Sequence, residues 1–202
     1  MTMATHPPSP ARRVSVPNVL TYGRMAAVPV VIGCMYGSDF LGGGLWLRWV
    51  ALALFIAAGV TDFFDGYFAR AWDQQTTFGR MLDPIADKLL VASCLLMLAA
   101  NGTIRGWSLW AAIVILCREI LVSGLREYLA ELRVSVPVTR LAKWKTTAQL
   151  VAIGFLLAGE AGDRILPVVT HTGLTLLWLS ALVTLYTGWD YFRAGVRHLI
   201  ED

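Results

Sequence analysis

Apolar residues run in six long stretches, at about 19–37, 46–68, 83–100, 107–129, 144–161 and 167–190, each near the roughly 20 residues a helix needs to cross a bilayer. Short polar or glycine-rich breaks separate them. Gly42-Gly43-Gly44 parts the first two, Gln74-Gln75-Thr76-Thr77 the next and Asn101-Gly102 the third gap. A basic stretch from Arg133 to Lys145 follows, and Gly159 to Pro167 closes the fifth. The pattern predicts an all-α integral membrane protein with six transmembrane helices over residues 16–202. Asp83-Pro84 reads as a helix start, with Asp at the cap and Pro in the first helical position. Residues 1–15 are polar and contain proline, which predicts a disordered tail. Ala11 to Tyr22 reads as a segment lying along the membrane surface before the first span.

Composition agrees. Of 202 residues, 56% are hydrophobic and 15% charged, too little charge for a soluble domain. No apolar run precedes Arg12-Arg13, so the start does not read as a cleaved signal peptide. Cys34, Cys94 and Cys117 are odd in number and far apart. They form no disulfide framework or zinc spacing and read as buried, inert thiols. Trp46, Trp49, Trp107, Trp110, Trp144 and Trp189 fall near span ends, as in an aromatic belt. His6 and His171 have no metal-ligand neighbours in sequence, and no nucleic-acid motif occurs.

Six spans put both termini on one side. Arg12, Arg13, Arg70, Arg80, Arg133, Arg140, Lys143, Lys145, Arg193 and Arg197 fall there, against Arg48, Arg105 and Arg164 on the other. Basic loops stay in the cytoplasm. The termini are therefore expected to be cytoplasmic, in a multi-pass protein of the inner (cytoplasmic) membrane. Arg193, Arg197 and His198 read as interfacial anchors or anionic-lipid contacts.

This apolar chain carries four carboxylates in one short segment: Asp62, Asp65, Asp83 and Asp87. Each intramembrane carboxylate costs roughly 2.5–3.5 kcal/mol on insertion scales unless paired or ligated. Asp62 and Asp65 stand at i, i+3, Asp83 and Asp87 at i, i+4, so each pair shares a helix face. The topology brings both pairs to the cytoplasmic interface. Two facing pairs make an oxygen-only cage suited to Mg2+ or Mn2+, one ion or two. Gly66 and Gly79 flank it and allow close approach of a ligand. Arg70 and Arg80 add cations that fit a phosphate bridging metal and guanidinium. Arg118, Arg126, Arg140, Lys143 and Lys145 form a second basic group. Arg118–Glu119 and Arg126–Glu127 pairing would explain part of it. As a cluster it reads better as a second anion pocket.

The run Asp62-x-x-Asp65-Gly66-x-x-Ala69-Arg70, eight residues, then Gly79-x-x-x-Asp83-x-x-x-Asp87 resembles the CDP-alcohol phosphatidyltransferase family at every fixed position of its motif. Three further segments resemble the branch of that family that uses sn-glycerol 3-phosphate. They are Val16-Pro17-Asn18-Val19-Leu20-Thr21-x-x-Arg24, Arg118-Glu119-Ile120-x-x-Ser123-x-Leu125-Arg126-Glu127, and Lys143-x-Lys145-Thr146-Thr147-x-Gln149. Leu141-Ala142 departs from the glycine expected before Lys143. The resemblance implies a CDP-alcohol phosphatidyltransferase-like bundle, a homodimer, with residues 16–202 as the catalytic domain. It implies two metal ions on Asp62, Asp65, Asp83 and Asp87, and Asp87 as general base. It places CDP-diacylglycerol against Gly66, Ala69, Arg70, Thr76 and Gly79. Arg118, Arg126, Lys143 and Lys145 are then expected to hold the acceptor's phosphate.

Other readings stay open. Within the family the acceptor would be inositol phosphate, serine or a second phosphatidylglycerol. An intramembrane prenyltransferase would have more spans and another aspartate spacing. A divalent-cation transporter would carry polar groups across the whole bilayer, whereas these carboxylates crowd one face.

Overall fold

The structure, a computed structural model, describes residues 16–72, 77–131 and 140–200. Within these, the side chains of 16–19, 62–72, 77–81, 83, 130–131, 140–143 and 190–200 lie outside the description. So does the whole of 1–15, where the tail was expected.

Every regular element among the described residues is a helix: α1 (Val16–Asp39), α2 (Trp46–Trp72), α3 (Thr77–Ala100), α4 (Ser108–Glu131), α5 (Arg140–Asp163) and α6 (Val169–Ile200). They coincide with the six apolar stretches and overrun them mainly at the end that carries the aspartates. α2 continues to Trp72, α3 begins at Thr77, α5 begins at Arg140 and α6 continues to Ile200. Each of these added stretches carries arginine, a good helix former that hydropathy counts against a span. Two expectations about where helices begin are corrected. Pro84 lies inside α3, so Asp83-Pro84 does not start the helix, and the ring removes one interior hydrogen bond instead. Val16 to Tyr22 is the first part of α1, not a separate surface segment.

The stretches Ser108–Leu129 of α4 and Val169–Trp189 of α6 are long and apolar enough to cross a membrane, while the apolar run Trp46–Thr61 of α2 is shorter. Leu96, Ile120, Leu121, Leu179, Leu182 and Leu185 point outward and are exposed. Water would oppose so much outward leucine, whereas lipid accommodates it. The six belt tryptophans are also exposed. Cys94 is buried, but Cys34 is half-buried and Cys117 is exposed on α4, so burial of all three thiols does not hold. A small apolar thiol loses nothing by facing a nonpolar surround.

α1 packs on α2 and α3, α5 on α6, α2 and α3, and α4 on α6 and α3. The core is divided along its length. Toward the Asp39 end it is apolar, built from Val31, Met35, Phe55, Leu98, Ile115 and Leu156 among others. Toward the Asp87 end the buried side chains include Thr21, Arg24, Lys145, Gln149, Thr184 and Thr187.

The apolar end is closed by a polar clasp. Arg48 Nε donates to Asp39 Oδ1 at 3.0 Å, and Asn101 Nδ2 donates to Asp39 Oδ2 at 2.6 Å. One carboxylate thus ties the ends of α1 and α3 to the start of α2. Arg48, read from sequence as a marker of the outer loop, is in fact buried. Its guanidinium lies against Gly159, where α5 is broken by a positive φ of 43°. A Cβ there would stand 2.1 Å from Arg48 Nη1, so glycine serves both the left-handed turn and the close approach.

Candidate active site

The C-terminal turns of α2 carry Asp62, Asp65, Gly66, Ala69 and Arg70, and the N-terminal turns of α3 carry Gly79, Asp83 and Asp87. Helical register places Asp83 and Asp87 on one face of α3. The side chains of Asp62, Asp65, Gly66, Ala69, Arg70, Gly79, Asp83 and Lys143 lie outside the described set, as does the whole of Thr76. Among the described residues no three His, Cys, Asp or Glu side chains gather as metal ligands.

The side chain of Asp87 is among those described. Arg24 Nη1 donates to Asp87 Oδ1 at 2.5 Å. The guanidinium is 1% exposed and the carboxylate 46%. A buried cation on α1 thus fixes one side of a carboxylate that remains open to solvent. Half-exposed, with hard oxygen donors, Asp87 suits a divalent cation. In the sequence Arg24 stands out as the one charged residue before Asp39 in the first apolar stretch and as the end of the Val16–Arg24 segment, but its partner on α3 is not legible there.

The second basic group forms two kinds of contact. Lys145 Nζ and Arg118 Nη1 both donate to Glu119 Oε1, the latter at 3.3 Å. Arg118 Nη2 donates to Thr187 Oγ1 at 3.2 Å. Glu119 therefore joins α4 to α5, and Arg118 joins α4 to α6. Gly188 permits this, since a Cβ there would lie 3.1 Å from Arg118 Cγ. Arg–Glu pairing thus accounts for Arg118–Glu119, with buried Lys145 as a third member. Arg126–Glu127 form no such pair and both are exposed.

Between α3 and α4 lies a cavity of about 270 Å³ whose polar lining is Lys88, Arg118, Glu119, Ser123, Arg126 and Glu127. Of the expected acceptor-binding residues, Arg118 and Arg126 line it and Lys145 does not. Pro84 and Lys88, one turn apart on α3, complete the wall. A helix turns about 100° per residue, so this wall adjoins the Asp83–Asp87 face. The Asp87 carboxylate therefore stands beside a pocket of small-molecule size lined by Lys88, Arg118 and Arg126 with Glu119 and Glu127, an arrangement that suits phosphate-bearing partners.

Residues 14–186 match the family model described as CDP-alcohol phosphatidyltransferase. A Rickettsia bellii protein named CDP-diacylglycerol--glycerol-3-phosphate 3-phosphatidyltransferase is 44% identical, over 91% of this chain and 97% of its own length. A Cereibacter sphaeroides protein of the same name is 38% identical, over 93% and 98%. A cardiolipin synthase (CMP-forming) of Oryza sativa subsp. japonica is 38% identical over 96% of this chain but 61% of its own length. With the match spanning nearly all six helices and the aspartate motif complete, this chain belongs to the CDP-alcohol phosphatidyltransferase family.

Proposed function

We propose that the chain transfers the phosphatidyl group of CDP-diacylglycerol to sn-glycerol 3-phosphate, giving phosphatidylglycerol phosphate and CMP, as a phosphatidylglycerophosphate synthase. The observation that carries this is the cavity between α3 and α4, where Lys88, Arg118 and Arg126 outnumber Glu119 and Glu127, on the face adjoining Asp87. A small, phosphorylated alcohol suits its size and charge. The end-to-end similarity to relatives bearing that activity's name supports the same acceptor.

In this reading the 1-hydroxyl of glycerol 3-phosphate attacks the β-phosphorus of the donor. The new bond is O1–P, and the bridging P–O bond to CMP breaks. Asp87 accepts the hydroxyl proton, its carboxylate held in place by Arg24. Arg126 and Arg118 orient the acceptor through its phosphate, so the attacking oxygen is presented in line. Arg70, with Gly66, Ala69, Thr76 and Gly79, takes the cytidine diphosphate, and Lys143 and Lys145 add positive charge near the acceptor. The family is divalent-metal dependent. The donor set of Asp62, Asp65, Asp83 and Asp87 suits Mg2+ or Mn2+, two ions in our reading, which would neutralise the diphosphate and stabilise the departing phosphate.

Six spans, with cytoplasmic termini and a site facing the cytoplasm of the inner membrane, follow from the alternation of basic loops. The acyl chains then stay in lipid while glycerol 3-phosphate arrives from water. Homodimeric assembly rests on the family resemblance.

A second reading takes phosphatidylglycerol as acceptor, favoured by the likeness to the rice cardiolipin synthase. Purified protein given CDP-diacylglycerol and glycerol 3-phosphate, phosphatidylglycerol, serine or inositol phosphate separates the two. Phosphatidylglycerol phosphate, identified by mass, is the expected product. Cardiolipin from phosphatidylglycerol, with glycerol 3-phosphate inert, refutes the first reading.

A further inference from the structure

We propose that Lys88, held by Ser123, binds the acceptor's phosphate and sets the preference for a phosphorylated alcohol. The inference rests on the acceptor assigned above and adds a residue to the same pocket. Lys88 Nζ donates to Ser123 Oγ across the α3–α4 groove. Lys88 is half-buried, and the two residues face each other in the cavity wall.

The charge balance singles Lys88 out. Buried cations are ordinarily paired with carboxylates. Arg24 has Asp87, Lys145 has Glu119 and Arg48 has Asp39. Lys88 has a neutral hydroxyl, and among the described residues no carboxylate lies within ion-pair distance of it. Glu119, across the same cavity, is already engaged by Lys145 and Arg118. Among the described residues Lys88 thus has no carboxylate partner, one hydrogen bond holds its position, and Glu127, exposed at the same cavity, pairs with neither Lys88 nor Arg126. An anion completes that arrangement.

Position supplies the chemistry. Lys88 directly follows Asp87, about 100° around the helix. An anion on Lys88 is therefore held on the face next to the carboxylate that takes the hydroxyl proton. Arg126, exposed and also without an ion-pair partner among the described residues, lines the same cavity nearer the end of α4. Together they offer two cations to a phosphate monoester, which carries nearly two charges at neutral pH. An unphosphorylated alcohol would leave Lys88 uncompensated, so the pocket discriminates by charge.

The test compares Lys88→Met, Lys88→Arg and Ser123→Ala with wild type, varying each substrate in turn. Lys88→Met should raise the KM for glycerol 3-phosphate roughly ten- to a hundredfold, the worth of one charge-assisted contact, and leave that for CDP-diacylglycerol unchanged. Inorganic phosphate, competing with glycerol 3-phosphate, should lose potency in the same proportion. Lys88→Arg should recover much of the loss, and Ser123→Ala should show a smaller rise of the same kind. If Lys88→Met does not fold, Ser123→Ala decides, and an unchanged KM there overturns the proposal. So does a loss confined to CDP-diacylglycerol, which would give the site to the donor. A site for lipid headgroups would instead show competition by phosphatidylglycerol in mixed micelles that Lys88→Met relieves, with the glycerol 3-phosphate KM unmoved, and that also overturns it. A wild-type protein making no phosphatidylglycerol phosphate refutes the acceptor reading, and this inference with it. Active wild type with unaltered Lys88→Met refutes this inference alone.

Discussion

Arg24 and Asp87, 63 residues apart, meet at 2.5 Å across the α1–α3 contact. The guanidinium is enclosed by protein while the carboxylate opens to solvent. That asymmetry makes Arg24 a support and Asp87 the working group. Arg24→Ala should lower kcat by roughly ten- to a hundredfold, the worth of a charge-assisted hydrogen bond. It should also lower the melting temperature, because half of a buried pair is removed. Turnover with both substrates saturating, beside thermal unfolding in detergent, checks both effects. Unchanged kcat in Arg24→Ala would make the pair purely structural.

Asp87→Asn keeps the shape and removes the proton acceptor together with one ligand charge. Activity should fall by at least about a hundredfold, the low end for a general base, in protein that still folds but melts earlier than wild type, because the buried Arg24 guanidinium loses its countercharge. A chelator should abolish wild-type turnover, and Mg2+ or Mn2+ should restore it. Full activity in Asp87→Asn would remove this carboxylate from the chemistry.

The apolar end should respond differently. Gly159→Ala forces a side chain into a left-handed turn and against Arg48 Nη1. At φ 43° and ψ −127° the backbone term alone costs roughly 1–3 kcal/mol for a residue with a Cβ. Thermal unfolding should come earlier, while KM for both substrates stays the same, since the clasp lies at the opposite end from Asp87. A change in KM without loss of stability would contradict this division of labour.

A pH effect is expected at the α5–α6 turn. Asp163 Oδ1 accepts from the Thr170 amide at 2.9 Å, capping the start of α6. The Thr170 hydrogen bonds hold its carboxyl below the ordinary value of 3.8. A depressed carboxyl stabilises the fold fully above its ordinary value, and the contribution fades as pH falls through the folded-state value. The difference in melting temperature between wild type and Asp163→Ala should therefore be constant near neutral pH and shrink below about pH 4. A difference that persists into stronger acid would show that the carboxylate charge is not what stabilises the turn.

Much of the fold is legible because hydrophobic stretches and helices coincide in a membrane protein. What hydropathy misses is the helix that continues through polar, glycine or charged positions, as from Thr77 to Leu82 and at Arg140. That is why Asp83-Pro84 looked like a beginning. The aspartate motif is readable from spacing, since i, i+3 and i, i+4 are surface neighbours on any helix. Arg24–Asp87, Lys88–Ser123 and Arg118–Thr187 are not, because each joins separate helices and depends on how they pack. Likewise Lys145 reads as a free cation in a basic run, and only packing reveals Glu119 beside it.

Phosphatidyl transfer to glycerol 3-phosphate is tested most directly by following the attacking oxygen. Purified protein with Mg2+ would receive CDP-diacylglycerol and glycerol 3-phosphate labelled with heavy oxygen at the 1-hydroxyl, and the products would be weighed by mass spectrometry. The expected result is phosphatidylglycerol phosphate carrying the label, with unlabelled CMP. A cytidylyl ester of glycerol 3-phosphate with phosphatidate would place the attack on the other phosphorus, and unlabelled phosphatidate with CMP would mean that water had attacked. Either outcome contradicts the proposed reaction.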